Sequence, residues 1–209
     1  MTELAEQPTT PAGGGPMVEL TPDERRQQQQ QVLESPPRPY GVEARVIFWL
    51  EDRAWGTDRT LPKFKARELV ARSPYRAWAH EHDDERADIE EERNERSHWN
   101  VLRQLIAEDE CHESRLRFDL LPAVGALSMY AFTRIQHRLN PRRSFRVNAD
   151  IEDHAAHEYA LFVAEHPEWE YRGFEGLSEY GRYESRADVL RQLGCDEHVH
   201  KERSIQRAR

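Results

Sequence analysis

Glu95 and His98, and again Glu197 and His200, form the only two Glu-x-x-His pairs in the chain. Both lie in stretches that read as helix. A helix turns residues three apart onto one face, so each pair can aim a carboxylate and an imidazole at the same point. Glu68 and Glu152 lie in the two other long helical stretches. One Glu from each of two helices, plus Glu-x-x-His from each of two others, is the ligand arithmetic of di-iron carboxylate bundles. A redox metal site is the chemistry these residue types suggest.

The elements that must position these groups follow from periodicity. Residues 1–38 contain Gly13-Gly14-Gly15, Gln27 through Gln31 and Ser35-Pro36-Pro37. Such composition buries too little apolar surface to offset ordering entropy, so a disordered tail is expected, with 39–209 as the folded domain. Thr21-Pro22-Asp23-Glu24 nevertheless reads as a cap and acidic first turn, which leaves room for a short helix through the glutamines. Val42, Val46, Ile47, Leu50 and Trp55 form a helical stripe that Gly56 breaks. A second helix should start near Leu61-Pro62 and carry Phe64, Glu68, Tyr75 and Trp78, with Pro74 kinking it or shifting its register. Further helices are expected over 85–108, 117–139 (the most apolar), 144–165, and from about Arg186 past His200. β-Alternation is nearly absent, so the fold class is all-α. The spacings of 27, 57 and 45 residues between Glu68, Glu95, Glu152 and Glu197 let all four return to one height of a bundle.

Bulk composition narrows the function. At 209 residues with a net charge of -9, the chain has no basic surplus for nucleic-acid binding. No window approaches the ~20 apolar residues of a spanning helix; Leu120 to Phe132, thirteen residues without a charge, would reach only part of the way. The N-terminus has no apolar signal region. Cys111 and Cys195 are too few for a disulfide framework, which fits a reducing cytoplasm.

Plainer readings stand beside the sharp one. A charge-rich helix such as 85–98 is most often a solvated face. His154 and His157 with Asp150 and Asp153 are ordinarily surface or capping groups, and Tyr159, Trp78, Trp99 and Tyr130 are ordinarily core. The joint pattern tips the balance toward metal.

The flanking residues extend that pattern. Asn94-Glu95-Arg96-Ser97-His98 resembles the Asn-Glu-Arg-Met-His motif of the alternative oxidases, membrane-associated di-iron quinol oxidases. Ile151-Glu152-Asp153-His154-Ala155 looks like their Leu-Glu-Glu-Glu-Ala motif, with His157 and Tyr159 where that motif continues. Asp196-Glu197-His198-Val199-His200 is similar to their Asp-Glu-x-x-His. Ala71-Arg72-Ser73-Pro74-Tyr75 resembles the segment after the first glutamate in the plastid terminal oxidase branch. The likeness covers roughly 42–203 and preserves motif order.

The resemblance implies a ferritin-like four-helix bundle with additional amphipathic and apolar helices. It implies Glu68, Glu95, Glu152 and Glu197 as carboxylate ligands of two iron ions per chain, with His98 and His200 as ligands or close partners. Carboxylate oxygen with imidazole suits iron better than structural zinc. Tyr159 is expected to supply an electron or proton during O–O cleavage, and Asp196 to orient a histidine. The implied activity is quinol oxidation coupled to reduction of dioxygen to water. It would take place at a monotopic membrane surface made by helices 42–55 and 118–135, on the cytoplasmic side of the cell membrane or in the cytoplasm, with a homodimer through the first helices. Several positions depart from the family. Arg67-Glu68-Leu69 replaces Leu-Glu-Thr, Ser97 replaces Met, and Arg67, His154 and Glu158 change the expected quinol pocket. These changes and the polar composition motivate an alternative: a soluble di-iron oxidase or oxygenase acting on another small reductant.

Overall fold

The computed structural model describes residues 14–81, 85–110, 113–174 and 180–209, and every regular element in them is helical. Helix α1 spans Pro22–Glu34, α2 Val42–Trp55, α3 Leu61–Ala79 and α4 Glu85–Glu108. A π-helical turn, Leu116–Leu120, leads into α5, Leu121–Leu139; α6 is Pro141–Glu165 and α7 is Arg186–Arg207. Local chemistry sets many of the boundaries. The Thr60 hydroxyl accepts from Lys63 N and opens α3, with Pro62 in its first turn, and Ser185 accepts from Asp188 N at the start of α7. Asn140 caps α6 through Arg143 N, with Pro141 as the first helical residue. The helix thus begins three residues before the expected Ser144. Pro74 sits inside α3 without ending it.

Helices α3 and α4 pack closely along one another, as do α6 and α7, while α4 and α7 touch only sparsely. Two apolar clusters close the bundle. One joins Phe64, Leu102, Leu105, Tyr159, Phe162, Leu190 and Leu193; the other joins Tyr75, Trp78, Phe145 and Ala208. Glu68, Glu152 and Glu197 fall between them in sequence along α3, α6 and the α7 segment, and Glu95 precedes the first cluster's Leu102 on α4. Gly194 permits the close approach of α7 to α6, since a Cβ there would lie 3.3 Å from that of Tyr159.

The tail differs from expectation. Residues 1–13 lie outside the described residues, but from Gly14 onward the segment packs on the bundle, and α1 forms with a complete Thr21–Glu24 capping box. Polar bonds rather than apolar area hold it. Arg25 binds Asp188 with Nε and Nη2 at 2.8 and 2.7 Å, both side chains being buried, and Gln29 donates to the carbonyl of Ala160. Composition counts apolar surface and so overlooks such contacts.

The apolar stripes of α2 and α5 are largely kept out of the core. Val42, Val46, Trp49, Leu50, Val124, Leu127, Ile135 and Leu139 are exposed, so these helices present apolar faces outward. No helix among the described residues is long and apolar enough to cross a membrane. Of the aromatic residues expected in the core, Trp78 is fully buried. Trp99 and Tyr130 are only half-buried and stack under Arg103 and Arg134 instead.

Candidate metal centre

The four central helices each deliver a carboxylate to one buried layer. Helix α3 supplies Glu68, α4 Glu95 and His98, α6 Glu152, and α7 Glu197 and His200, all at most 1% exposed. Their potential ligand atoms form two groups, each within 4.8 Å: Glu68, Glu95, His98 and Glu197, and Glu95, Glu152, Glu197 and His200. Glu95 and Glu197 belong to both. Each group therefore has one carboxylate of its own, one histidine and the same two shared carboxylates. The helical i,i+3 spacing produces this symmetry, because each Glu-x-x-His pair contributes a shared acid and a private imidazole.

The histidines are aimed differently. Nδ1 of His98 lies 3.0 Å from Glu197 Oε1 and 3.3 Å from Glu68 Oε2, while its Nε2 lies 3.2 Å from Asp196 Oδ2. Nδ1 of His200 lies 2.8 Å from Glu95 Oε1. Neither ring nitrogen of His200, neither carboxylate oxygen of Glu95, nor Oε2 of Glu152 or Glu197 makes a hydrogen bond. Such orphaned buried groups are costly when nothing neutralises them.

The electrostatics lead the same way. Burial, then the charges of Glu197, Glu68 and Glu152, push the Glu95 carboxyl well above the usual carboxylate range. Burial and Glu197 push Glu152 up as well. Burial also opposes ionisation of Glu197, but the close imidazoles of His200, with Nδ1 3.7 Å from Oε2, and of His98, with Nδ1 3.0 Å from Oε1, outweigh it and hold that carboxyl below the usual range. Burial disfavours a charged His98, yet Asp196, Glu197 and Glu68 raise its pKa well above the ordinary value. Four carboxylates buried together therefore favour uptake of positive charge, and metal binding at such a site releases protons. Four carboxylates and two imidazoles fit two divalent ions in both donor type and charge.

A supporting ring holds these groups. Tyr159 donates to Glu68 Oε1 at 2.5 Å. Tyr75 and Asn148 donate to Glu152 Oε1 at 2.7 and 2.9 Å. Asp196 Oδ2 accepts from Asn94 Nδ2 and Tyr180 OH at 2.9 and 2.7 Å, and its Oδ1 from Gln192 Nε2 at 2.9 Å. The sequence marks Tyr75 only as part of the segment after Glu68 and does not single out Asn148, Gln192 or Tyr180. For two of them a signal existed: Tyr75 lies two helical turns after Glu68, and Asn148 one turn before Glu152.

The second His and Asp cluster has a structural role. His154 packs on Phe48 with ring centroids 4.1 Å apart, and His157 Nδ1 lies 2.7 Å from the Asp153 carbonyl. Asp150 and Asp153 accept from the backbone of Gly41 and Arg38. Cys195 is buried, and burial pushes its thiol up to about 12; Cys111 lies outside the described residues.

Beside the centre is an apolar groove of about 610 Å³, open to solvent, between α2, α3, α5 and α6. Val46, Leu50, Val70, Leu121, Val124 and Phe132 are among its lining, and its few polar groups include Arg67 and Glu51. It shares two helices with the centre: Arg67 and Ala71 flank Glu68, and Ile151 and His154 flank Glu152. Arg67 donates to Glu51 Oε1 through Nε and Nη2 at 3.0 and 2.6 Å, and its Nη1 has no partner. His154 stays uncharged: burial and the cations Arg67 and Lys63 lower its pKa to about 2. No family model matches the chain, and no curated protein matches it.

Proposed function

We propose that this protein is a di-iron quinol:oxygen oxidoreductase resembling the alternative oxidases, built on a ferritin-like bundle of α3, α4, α6 and α7. The observation that carries the reading is the pair of Glu/His groups sharing Glu95 and Glu197. In this reading Glu68 and His98 would serve one ion, and Glu152 and His200 the other, with Glu95 and Glu197 between them. The chemistry that such an ion pair supplies when bound is the reduction of dioxygen to water with electrons drawn from a quinol. The chain's own residues do the rest. Asp196 fixes the far nitrogen of His98 and so its ring orientation. Tyr159 holds a phenolic proton on Glu68, where it can be passed to the reacting oxygen. Tyr75 and Asn148 fix Glu152. The two apolar clusters exclude bulk water, which strengthens every charge interaction inside.

The apolar groove supports a quinol as reductant, since a flat ring with an apolar tail suits walls of this kind. The exposed apolar faces of α2 and α5 support monotopic docking on a membrane, from which such a substrate would enter. The test is oxygen uptake by purified, iron-loaded protein given a short-chain quinol, with Mössbauer spectroscopy on the same sample. Two irons per chain without cyanide-resistant uptake would remove the quinol oxidase; absence of iron would remove the centre itself.

One observation favours a second reading. The Arg67–Glu51 pair and His154 make one wall of the groove polar, which suits a soluble oxidase or oxygenase acting on a more polar reductant. Turnover with such a compound by protein that does not float with liposomes would select it.

A further inference from the structure

The six groups of the centre are buried, yet ions must reach them. Its ends are shut by the two apolar clusters, and the paired helices α3/α4 and α6/α7 are tightly packed. On the α3–α6 side Tyr159 bonds Glu68, Tyr75 bonds Glu152, and Phe64 packs on Tyr159 with centroids 4.8 Å apart. The remaining side is the seam between α4 and α7, where, as between α3 and α6, the helices themselves barely meet. There the closing material comes from outside the bundle. Residues 14–20 run across the seam, bonded to both helices.

The bonds are specific. From α4, Asn94 Nδ2 donates to the carbonyl of Gly15 at 3.0 Å. From α7, Gln192 Nε2 donates to the carbonyl of Val18 at 2.9 Å, and Asp196 Oδ1 accepts from the backbone N–H of Met17 at 3.0 Å. Asp196 also lies against Nε2 of His98, so one carboxylate links the strap to the centre. Gly14, Gly15 and Met17 are buried. Gly14 has φ +84°, and a Cβ there would lie 2.8 Å from Ser97 Oγ and 2.9 Å from the Arg93 carbonyl. The chain can lie this close to α4, one residue before His98, only as glycine.

We propose that residues 14–20 are a detachable strap over the α4–α7 seam, and that its opening is the route by which metal ions enter and leave the centre. The proposal rests on the metal reading above. Met17 is the one buried side chain of this segment, and its bonds to the bundle join strap backbone to single side chains, so the strap opens at less cost than parting either helix pair, which would break the core. Opening would also withdraw one of the hydrogen bonds on Asp196, loosening the carboxylate that orients His98.

Gly14→Ala tests this without touching a ligand, and Gly173→Ala, whose added Cβ meets nothing within 4 Å, is the control. Release of ferrous iron to excess bipyridine is timed, and amide hydrogen exchange at Met17 is measured by mass spectrometry. Gly14→Ala should speed both by about tenfold or more, because backbone strain and a steric clash both act against the closed strap. Gly173→Ala should change neither. Faster Met17 exchange with unaltered iron release overturns the proposal. So does a Gly14→Ala chain unchanged in both, since that strap would not depend on the close approach described. If Gly14→Ala fails to fold, wild-type protein in mild denaturant decides. Release that follows Met17 exchange supports the strap, and release that follows the slower amides of α7 overturns it. A wild-type chain that takes up no iron would instead refute the metal reading. Exchange on that chain still separates the two ideas, because a strap opens at Met17 ahead of α7.

Discussion

The phenol of Tyr159 donates to Oε1 of Glu68 at 2.5 Å, joining α6 to α3 across 91 residues of chain. Burial, followed by the charges of Glu68 and Glu197, raises its pKa well above the ordinary phenol value. The proton is therefore held on the ring. Tyr159→Phe should retain iron, because Glu68 keeps its carboxylate, while quinol-dependent oxygen uptake falls about 100-fold or more. Iron content and kcat measured on one preparation check this; full activity in the variant would make Tyr159 a packing residue.

Glu95 and Glu197 belong to both ligand groups, whereas Glu68 and Glu152 each belong to one. Replacing a shared acid should therefore empty both positions. Glu95→Gln and Glu197→Gln are expected to bind essentially no iron, and Glu68→Gln and Glu152→Gln to keep about one ion per chain. Elemental analysis after loading distinguishes the two classes, and equal losses in all four would contradict a shared pair.

Arg25 and Asp188 form a buried bidentate pair that fastens α1 to α7. Removing one member leaves the other charge buried without compensation. Arg25→Met should cost about 3 kcal/mol, and the double change with Asp188→Leu should recover much of it. Denaturant unfolding of the three proteins reads this directly. A loss below about 1 kcal/mol in Arg25→Met would mean that α1 contributes little to the fold.

Glu92 on α4 provides the pH test. Burial raises its pKa, but hydrogen bonds and charge from Arg72, with help from Arg96, overcome this and leave it below the usual carboxylate value. A depressed folded pKa contributes stability above the unfolded value, near 4.5, and loses it as the pH falls through the folded one. Glu92→Gln should therefore cost about 1 kcal/mol at pH 7. The difference from wild type should shrink steadily below about pH 4. A pH-independent difference would rule out the ion pair as its source.

Trp49 on α2 and Leu127 on α5 are 60% and 69% exposed on the apolar face. If this face docks on a membrane, Trp49→Glu together with Leu127→Glu should abolish flotation with liposomes and leave iron content unchanged. A change in oligomeric state without any flotation by the parent would instead mark the face as an interface between two copies.

The helices and their chemistry were largely legible in the chain. Periods of three and four residues, the Thr and Ser caps and the Pro-started first turns are local, and they predicted α2 and α4 closely. Glu-x-x-His repeated twice, with one acid on each of two other helices, named all six groups now found in the buried layer. These features depend on residues within a turn or two of each other. Which carboxylates are shared, which nitrogen of His98 faces Asp196, and that Tyr75 and Asn148 hold Glu152 depend on how two helix pairs are rotated against one another, and no local spacing encodes that. The N-terminal segment shows the same division. Its composition argued for disorder, and only Thr21 to Glu24 signalled a helix. Its ordering comes from Asp188, Gln192 and Asp196, residues more than 160 positions away that become its partners only after α7 has packed on α6.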